Sequence, residues 1–243
     1  MNEPAQKPLI EIRGYCPVCE QNTVYTANSV WFRDNLFCST CHNGSIPRER
    51  AMMKVLKQMR PNWQELMIHE CSPIGRGPTA RFMRECKGYV GSHYFADIPA
   101  GEMSKGYVSQ DIEAQTFPDE AFDIVITQDV MEHVFHPARA HQEIWRTLKP
   151  GGLHIFTTPI MKDLVKSRIV AEIKDGTVTH LEPPEYHGNP IDEKGSLVTV
   201  VYGYDIADTI VEAAPFDVEV RRFNDRTAGI LGELTEVIVC AKR

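Results

Sequence analysis

The amino-acid sequence predicts an α/β fold with a mostly parallel sheet, preceded by a small metal-binding module. Two observations carry this prediction. From about residue 64 onward, short apolar segments alternate with helical ones, which is typical of parallel β-α-β units covered on both faces. Before them, four cysteines fall in two C-x-x-C pairs. We therefore divide the 243 residues into a zinc-ribbon-like module at 1–47, a connecting helix at 48–63 and a main domain at 64–243.

The bulk composition is that of a globular protein, with 42% hydrophobic and 24% charged residues. No segment approaches the roughly 18 apolar residues that span a bilayer, and the start of the chain lacks a signal-peptide pattern. We therefore expect no membrane partner and a cytoplasmic location. The net charge of −7 disfavours a chain dedicated to nucleic acid. Residues 1–60 nevertheless carry eight Lys or Arg against five Asp or Glu, so RNA docking there stays open.

The four N-terminal cysteines predict a zinc site. Eighteen residues separate Cys16 and Cys19 from Cys38 and Cys41, within the range typical of paired C-x-x-C zinc ligands. Four thiolates complete a tetrahedron with no open position, so the ion would be structural. His42 could replace one cysteine, and reduced, unligated thiols are the other alternative. The intervening TVYTANSVWFRDNLF is rich in β-branched and aromatic residues and predicts a hairpin.

The segment IPRERAMMKVLKQM follows, and its pattern predicts an amphipathic helix that ends near Pro61. Its basic residues Arg50, Lys54 and Lys57 are expected on a solvated face. The apolar face consists of Met52, Val55, Leu56 and Met59.

Five segments are predicted as strands of the main domain, namely ELMIHE, GYVGSHYF, GYVSQD, FDIVITQD and LHIFTTP. Between the last two, HPARAHQEIWRTLKPGG predicts a helix. The run FDIVITQDVMEHVFHPARAHQEIWRTLKPGGLHIFTTP resembles the fourth strand, following helix and fifth strand of class I S-adenosylmethionine-dependent methyltransferases. This resemblance covers residues 64–160 well and the rest in outline. It implies a Rossmann-like sheet of seven mostly parallel strands with an antiparallel last strand, and S-adenosylmethionine as cofactor.

The resemblance also implies which residues contact the cofactor, at the carboxyl ends of the first strands. Glu70 holds the acidic position of the first strand, and the turn after it has Ser72 and Pro73 where the family has its earliest glycine. Ser92 or Tyr94 would replace the missing ribose-binding carboxylate, with Asp97 as a later candidate. A turn or helix-cap role is the alternative for Asp111. The implied contacts are Glu70, Ser72, Pro73, Gly75, Ser92, Tyr94, Asp111 for the adenine amino group, Ile112 for the ring face, and Gln128.

Methyl transfer requires an aligned nucleophile and a group that accepts its proton. His133, in the EHV turn after the fourth strand, is the candidate general base, with a structural role as the alternative. The neighbouring Asp129 and Glu132 suggest a further alternative, because some quinone O-methyltransferases with a similar D/E-x-x-E-H arrangement bind magnesium there.

The long polar segment after the fifth strand is expected to select the acceptor, unless it is a solvated Ω-type loop. Its candidate contacts are His180, Tyr186 and His187, together with Asp129. The function predicted first is methylation of an oxygen or nitrogen on a small-molecule or sugar/glycan acceptor. The second is RNA methylation, with Arg48, Arg50 and Lys54 gripping RNA through the zinc ribbon. The third is a non-catalytic relative that acts as a binding module.

Overall fold

The structure, a computed structural model, describes residues 8–189 and 191–243. Its N-terminal region forms the expected hairpin. Strand β1 (Ile10–Cys16) pairs antiparallel with β2 (Gln21–Ala27), and the short helix α1 (Phe32–Asn35) leads to β3 (Phe37–Cys38), which also pairs with β2. The end of β1 and the turn to β2 hold one C-x-x-C pair, and the end of β3 and the residues after it hold the other, so the four cysteines lie close together.

Helix α2 (Pro47–Met59) follows; its apolar residues Met52, Val55 and Leu56 are fully buried, and Met59 is partly buried. The expectation that Arg50 faces solvent is wrong, because this side chain is 0% exposed. Its guanidinium donates to the carbonyls of Leu36 (2.9 Å) and Gly229 (2.7 Å) and lies 4.5 Å from the centre of the Tyr25 ring. Helical periodicity could not reveal these acceptors, because one of them lies 179 residues away.

The main domain begins with alternating strands and helices. In chain order these elements are a 3-10 turn (Trp63–Glu65), β4 (Met67–Cys71), α3 (Gly77–Glu85), β5 (Gly88–His93), β6 (Met103–Ser104), β7 (Tyr107–Ser109), β8 (Phe122–Gln128), a second 3-10 turn (Met131–His133), α4 (Pro137–Thr147) and β9 (Leu148–Thr157). All five predicted strands are present, and the predicted helix is α4.

The predicted polar loop contains short strand pairs instead of an Ω-type loop. They are β10 (Arg168–Ile169), β11 (Ala171–Lys174), β12 (Thr177–His180), β13 (Tyr186–His187), β14 (Ser196–Leu197) and β15 (Val200–Val201). Strand β10 pairs with β15, β11 with β12, and β13 with β14. The chain then returns through α5 (Ile206–Ala213), β16 (Phe216–Arg221) and β17 (Val237–Lys242).

The central sheet has the order β16-β17-β9-β8-β4-β5-β7-β6. Strands β4, β5, β7, β8 and β9 are parallel, and β17 runs antiparallel to both of its neighbours. This confirms the mostly parallel sheet with an antiparallel last strand. The expected count of seven strands becomes eight, because the two-residue β6 pairs with β7 at one edge. The carboxyl ends of β4, β5 and β8 meet at one edge, where open α/β sheets bind ligands.

The faces of the sheet are covered by two apolar clusters. One cluster joins the N-terminal hairpin and α2 to the face that includes Ile68, Ile126 and Val239. The other joins α4 and α5 to the opposite face, which includes Val125. The division at residues 47 and 63 stays a prediction, and the structure adds that the three parts share one core. Among the described helices, none combines the length and apolarity that a bilayer crossing demands.

Candidate functional site

The four Sγ atoms of Cys16, Cys19, Cys38 and Cys41 lie within 4.8 Å of one another. Cys16 and Cys41 are 3.6 Å apart at sulfur, and Cys19 and Cys38 are 3.9 Å apart. A tetrahedral zinc ion about 2.3 Å from each sulfur places neighbouring sulfurs about 3.8 Å apart. A disulfide needs about 2.05 Å, and all four thiols are free. His42 lies outside the cluster, so the geometry is compatible with a four-sulfur zinc site.

Neighbouring hydroxyl groups contact this cysteine cluster. Thr23 Oγ1 lies 3.3 Å from the sulfur of Cys38, and Ser45 Oγ lies 3.3 Å from that of Cys41. Burial, together with the nearby sulfurs of Cys16 and Cys38, raises the pKa of Cys19 to about 12. The raised pKa means that Cys19 favours the protonated thiol. A bound divalent cation would instead favour the thiolate, because metal binding stabilises thiolates.

Two arginines of the N-terminal region meet Asp129, which directly follows β8. Arg33 Nη2 donates to Asp129 Oδ2 at 2.7 Å, and Arg48 Nε lies 3.0 Å from the same oxygen. Thr157 donates its hydroxyl to Oδ1 at 2.9 Å. Burial alone would raise the pKa of Asp129, but the charges of Arg48 and Arg33 outweigh it and lower that pKa. Both carboxylate oxygens are therefore engaged by the protein, which weighs against Asp129 as an acceptor contact.

Sequence reasoning missed Arg33, although it lies among the apolar residues of WFRDNLF, where an arginine needs a partner. Its side chain is 7% exposed. The predicted RNA-gripping residues are also engaged inside the protein. Arg48 pairs with Asp34 and Asp129, Arg50 is buried, and Lys54 pairs with Asp225.

Glu70 lies buried near the end of β4, at the predicted acidic position. Its carboxylate accepts hydrogen bonds from Thr79 Oγ1 (2.7 Å), Tyr89 OH (2.8 Å) and Gln128 Nε2 (3.1 Å). Burial raises the pKa of Glu70 to about 7 in spite of these donors. The other amide atom, Gln128 Oε1, is buried and has no partner within the described chain. This edge of the sheet therefore holds an unused buried acceptor.

The turn from β4 to α3 contains two residues in the left-handed region before the helix, Ser72 at φ 58° and Gly75 at φ 68°. A Cβ on Gly75 would meet nothing within 4 Å, so the turn is open there. His93, which sequence reasoning missed, holds the turn from β5. It donates from Nε2 to the Pro73 carbonyl at 3.1 Å, and its Nδ1 lies 3.4 Å from the Ser72 hydroxyl. Its position in the sequence could have identified it, because His93 ends the strand where the family has its ribose-binding acid.

The other predicted cofactor contacts have mixed environments. Ser92 Oγ is 2.7 Å from His69 Nε2 inside the protein, which weighs against a ribose contact. Tyr94 is 64% exposed, near the end of β5. Asp111 Oδ1 accepts from the Glu113 amide at 2.9 Å, the contact expected of a turn aspartate. Ile112 is buried in the core cluster beside α4 and α5. The cofactor roles of these residues stay predictions.

Glu132, His133 and His187 come together, and we name them the Glu-His-His cluster. One ligand atom from each lies within 4.8 Å of the others. Glu132 Oε1 is 3.9 Å from both His133 Nε2 and His187 Nδ1. Sequence reasoning named all three without predicting that the β13 hairpin brings His187 to the other two. The remaining predicted acceptor residues, His180 and Tyr186, are exposed.

Comparison with known families decides what kind of domain carries this site. Residues 75–156 match the family described as a methyltransferase domain. This part of the chain is similar to methyltransferase domains. The match runs from the turn before α3 to β9, so the methyltransferase domain includes Asp111, Gln128 and His133. The cysteine cluster, Arg33 and His187 lie outside the matched residues.

Individual proteins are similar to this chain in sequence or in fold. The ubiquinone/menaquinone biosynthesis C-methyltransferase UbiE of Citrobacter koseri is 28% identical, over 43% of this chain and 53% of that protein. The chain thus spans about half the length of the curated relatives it matches. An S-adenosylmethionine-dependent methyltransferase from Mesorhizobium loti is similar in structure, with a TM-score of 0.51, 19% identity, and coverage of 79% of this chain and 98% of that one.

A chain in the complex of the Haloferax volcanii Trm112 methyltransferase activator is also similar in fold. Its TM-score is 0.50 at 14% identity, and the similarity covers 80% of this chain and 89% of that one.

Proposed function

We propose that the protein transfers a methyl group from S-adenosylmethionine to an oxygen or nitrogen of a small-molecule or sugar/glycan acceptor. The observation that carries this proposal is the open turn at Gly75 within the methyltransferase domain. A glycine whose Cβ would meet nothing leaves room for a ligand beside the backbone. The buried, unpartnered Gln128 Oε1 at the same edge can accept a hydrogen bond from an ammonium group, such as that of the cofactor's methionine part.

S-adenosylmethionine, when bound, supplies a methyl group on a positively charged sulfur. The protein's own part is to align the acceptor, exclude water and take up the proton that the acceptor loses. Glu70 supports this edge by joining β4 to Tyr89, Thr79 and Gln128. His133 remains the predicted base, because its Nδ1 donates to the Leu197 carbonyl at 2.9 Å and leaves Nε2 as an acceptor.

The proposal includes one structural zinc ion held by Cys16, Cys19, Cys38 and Cys41. The support is the sulfur spacing and the neighbouring hydroxyl groups. The zinc module would then stabilise the position of Asp129 in the methyltransferase domain, because Arg33 of the N-terminal region donates a hydrogen bond to it. An RNA-gripping role receives no such support, since Arg48, Arg50 and Lys54 already have partners inside the protein.

Binding of S-adenosylmethionine, measured by calorimetry on zinc-loaded protein, tests the cofactor. Gly75→Ala is expected to weaken binding at least about tenfold, because the methyl group enters the space proposed for the ligand. Gly106→Ala is the matched control, since Gly106 also has a positive φ (85°) and an open Cβ position. Gly106 lies at the amino end of β7, whereas the proposed cofactor site lies at the carboxyl ends of the parallel strands. Absence of binding by the wild-type protein would contradict the proposal, as would equal losses in the two variants.

Methyl-labelled cofactor tests the acceptor class. The label is expected in small metabolites or glycans when the protein is incubated with separated cell fractions. Label in the RNA fraction would overturn the acceptor assignment while leaving the methyltransferase activity in place. Label in no fraction, despite measurable cofactor binding, would favour a binding module.

A further inference from the structure

In the Glu-His-His cluster, no hydrogen bond joins these three described residues to one another. Glu132 Oε2 accepts from the Thr158 hydroxyl at 2.9 Å, but Oε1 is buried and has no hydrogen-bond partner among the described residues. The two atoms nearest to Oε1 on the imidazoles are His133 Nε2 and His187 Nδ1, each 3.9 Å away. This distance is too long for a hydrogen bond, so the three groups do not satisfy one another.

Each imidazole has one inner nitrogen that faces Glu132 and one outer nitrogen that faces away from it. Both outer nitrogens lie near an oxygen acceptor, and this contact orients the ring. His133 Nδ1 lies 2.9 Å from the Leu197 carbonyl oxygen, and His187 Nε2 lies 3.3 Å from Glu185 Oε1. Each outer nitrogen therefore faces an acceptor and takes the donor role, which leaves the inner nitrogen with its lone pair. Outer contacts of this kind orient the histidine ligands of metal ions.

From this geometry we propose that Glu132, His133 and His187 bind a divalent first-row transition-metal cation. Ligands about 2.1 Å from one ion lie about 3.4 Å apart at a tetrahedral angle, so the two 3.9 Å separations each have to close by about 0.5 Å. The cluster as a whole lies within 4.8 Å, so its widest separation has to close by at most about 1.4 Å. His187 can supply this movement, because its side chain is 36% exposed and belongs to a two-residue strand.

The ligand set selects the class of ion. Two neutral imidazoles with one carboxylate suit zinc, iron(II), cobalt(II) or manganese(II), whereas magnesium and calcium prefer oxygen ligands. Asp129 does not belong to this site, because Arg33 and Thr157 hold both of its oxygens. The site therefore differs from a D/E-x-x-E-H arrangement, since the β13 hairpin supplies its third ligand.

Three protein ligands leave at least one coordination position open, as in catalytic rather than structural metal sites. An acceptor oxygen bound at that position would lose its proton to solvent water more readily, because the cation would stabilise the anion. This role rests on the proposed function, whereas metal binding itself does not. His133 Nε2 cannot hold a cation and act as a free base at the same time, so the proposal replaces the general-base prediction for His133.

Metal content tests the proposal without using methyl transfer. Protein is equilibrated with a slight excess of Zn²⁺, passed through a desalting column and analysed for metal per chain. The wild type is expected to retain two ions, one in the cysteine cluster and one in the Glu-His-His cluster. His187→Ala is expected to retain one. His180→Ala is the matched control, because His180 is an exposed histidine on the neighbouring β12 hairpin, and it should retain two.

A cobalt titration identifies the second ion. The first equivalent should give the intense thiolate-to-cobalt absorption of a cysteine site, and the second should add only weak visible bands, which are lost in His187→Ala. One ion per chain in the wild type would overturn the proposal and return His133 to the role of a free base. Two ions in His187→Ala, or equal loss in His180→Ala, would also overturn it. Unchanged S-adenosylmethionine binding in His187→Ala shows that the variant is folded.

Discussion

The ion pairs at Asp129 give a sharp prediction about what joins the N-terminal module to the methyltransferase domain. In Asp129→Asn, the Arg33 guanidinium loses the buried one of its two charged partners and keeps Asp34. The side chain of Arg33 is 7% exposed and that of Asp129 is 15% exposed. Breaking a buried pair from one side costs about 3 to 5 kcal/mol. Asparagine tolerates the left-handed backbone at this position, where φ is 53°, so the change removes charge without adding strain. We expect a loss of about 3 kcal/mol, because the amide oxygen still accepts one hydrogen bond.

Asp34→Asn is the matched control. Asp34 contacts the same two arginines, Arg33 and Arg48, but its side chain is 39% exposed. Exposed pairs contribute less than about 1 kcal/mol, so this variant should stay near the wild type. The assay is urea unfolding of zinc-loaded protein at neutral pH, followed by tryptophan fluorescence. If Asp129→Asn lost less than about 1 kcal/mol, or no more than Asp34→Asn, the reasoning from burial would be refuted.

Three further predictions concern titration and metal. Because burial raises the pKa of Glu70 from 4.5 to about 7, wild-type stability relative to Glu70→Gln should be greatest below pH 4.5 and fall by up to about 3 kcal/mol as the pH rises through 7. Urea unfolding across this range measures the difference, and a flat difference would contradict it. Burial also lowers the pKa of His69 from 6.5 to about 3, so the folded protein should lose stability as the pH falls from 6.5 toward 3. His69→Asn should show a shallower acid limb, and an unchanged slope would count against this. Finally, Cys16→Ser should be purified with less than one structural zinc ion per chain, whereas Cys86→Ser, which also removes a buried free thiol, should keep it; equal zinc content would disprove the ligand assignment.

The strands and the cysteine cluster were predictable from local patterns. Apolar segments such as FDIVITQ have the length and composition of buried strands, and C-x-x-C spacing is a local property of the chain. The eighth strand was not predictable, because Met103–Ser104 is too short to show periodicity. The mostly parallel sheet with an antiparallel last strand was implied by the resemblance to a family.

The contacts of the candidate site depended on long-range packing that local patterns do not show. Arg50 occurs in a helix where a basic residue usually faces water, yet the carbonyl of Gly229 makes its burial possible. His187 lies in a segment that reads as a polar loop, and only the β13 hairpin brings it to His133. Asp129 was identified as a polar residue at the ligand edge, but its two arginine partners come from positions 33 and 48.

The buried Arg50 also affects the order in which the protein can fold during synthesis. Its guanidinium needs the Gly229 carbonyl, and the core around α2 needs Val237 and Val239 from β17. When the cysteines and α2 leave the ribosome, these partners have not yet been made. At about 5 to 20 residues per second, translation takes on the order of ten seconds or more to reach them. Through that interval Arg50 lacks its Gly229 acceptor, and the apolar face of α2 lacks its partners from β17. The proposed zinc ion, if bound at that stage, would hold the hairpin together before the rest of the core exists.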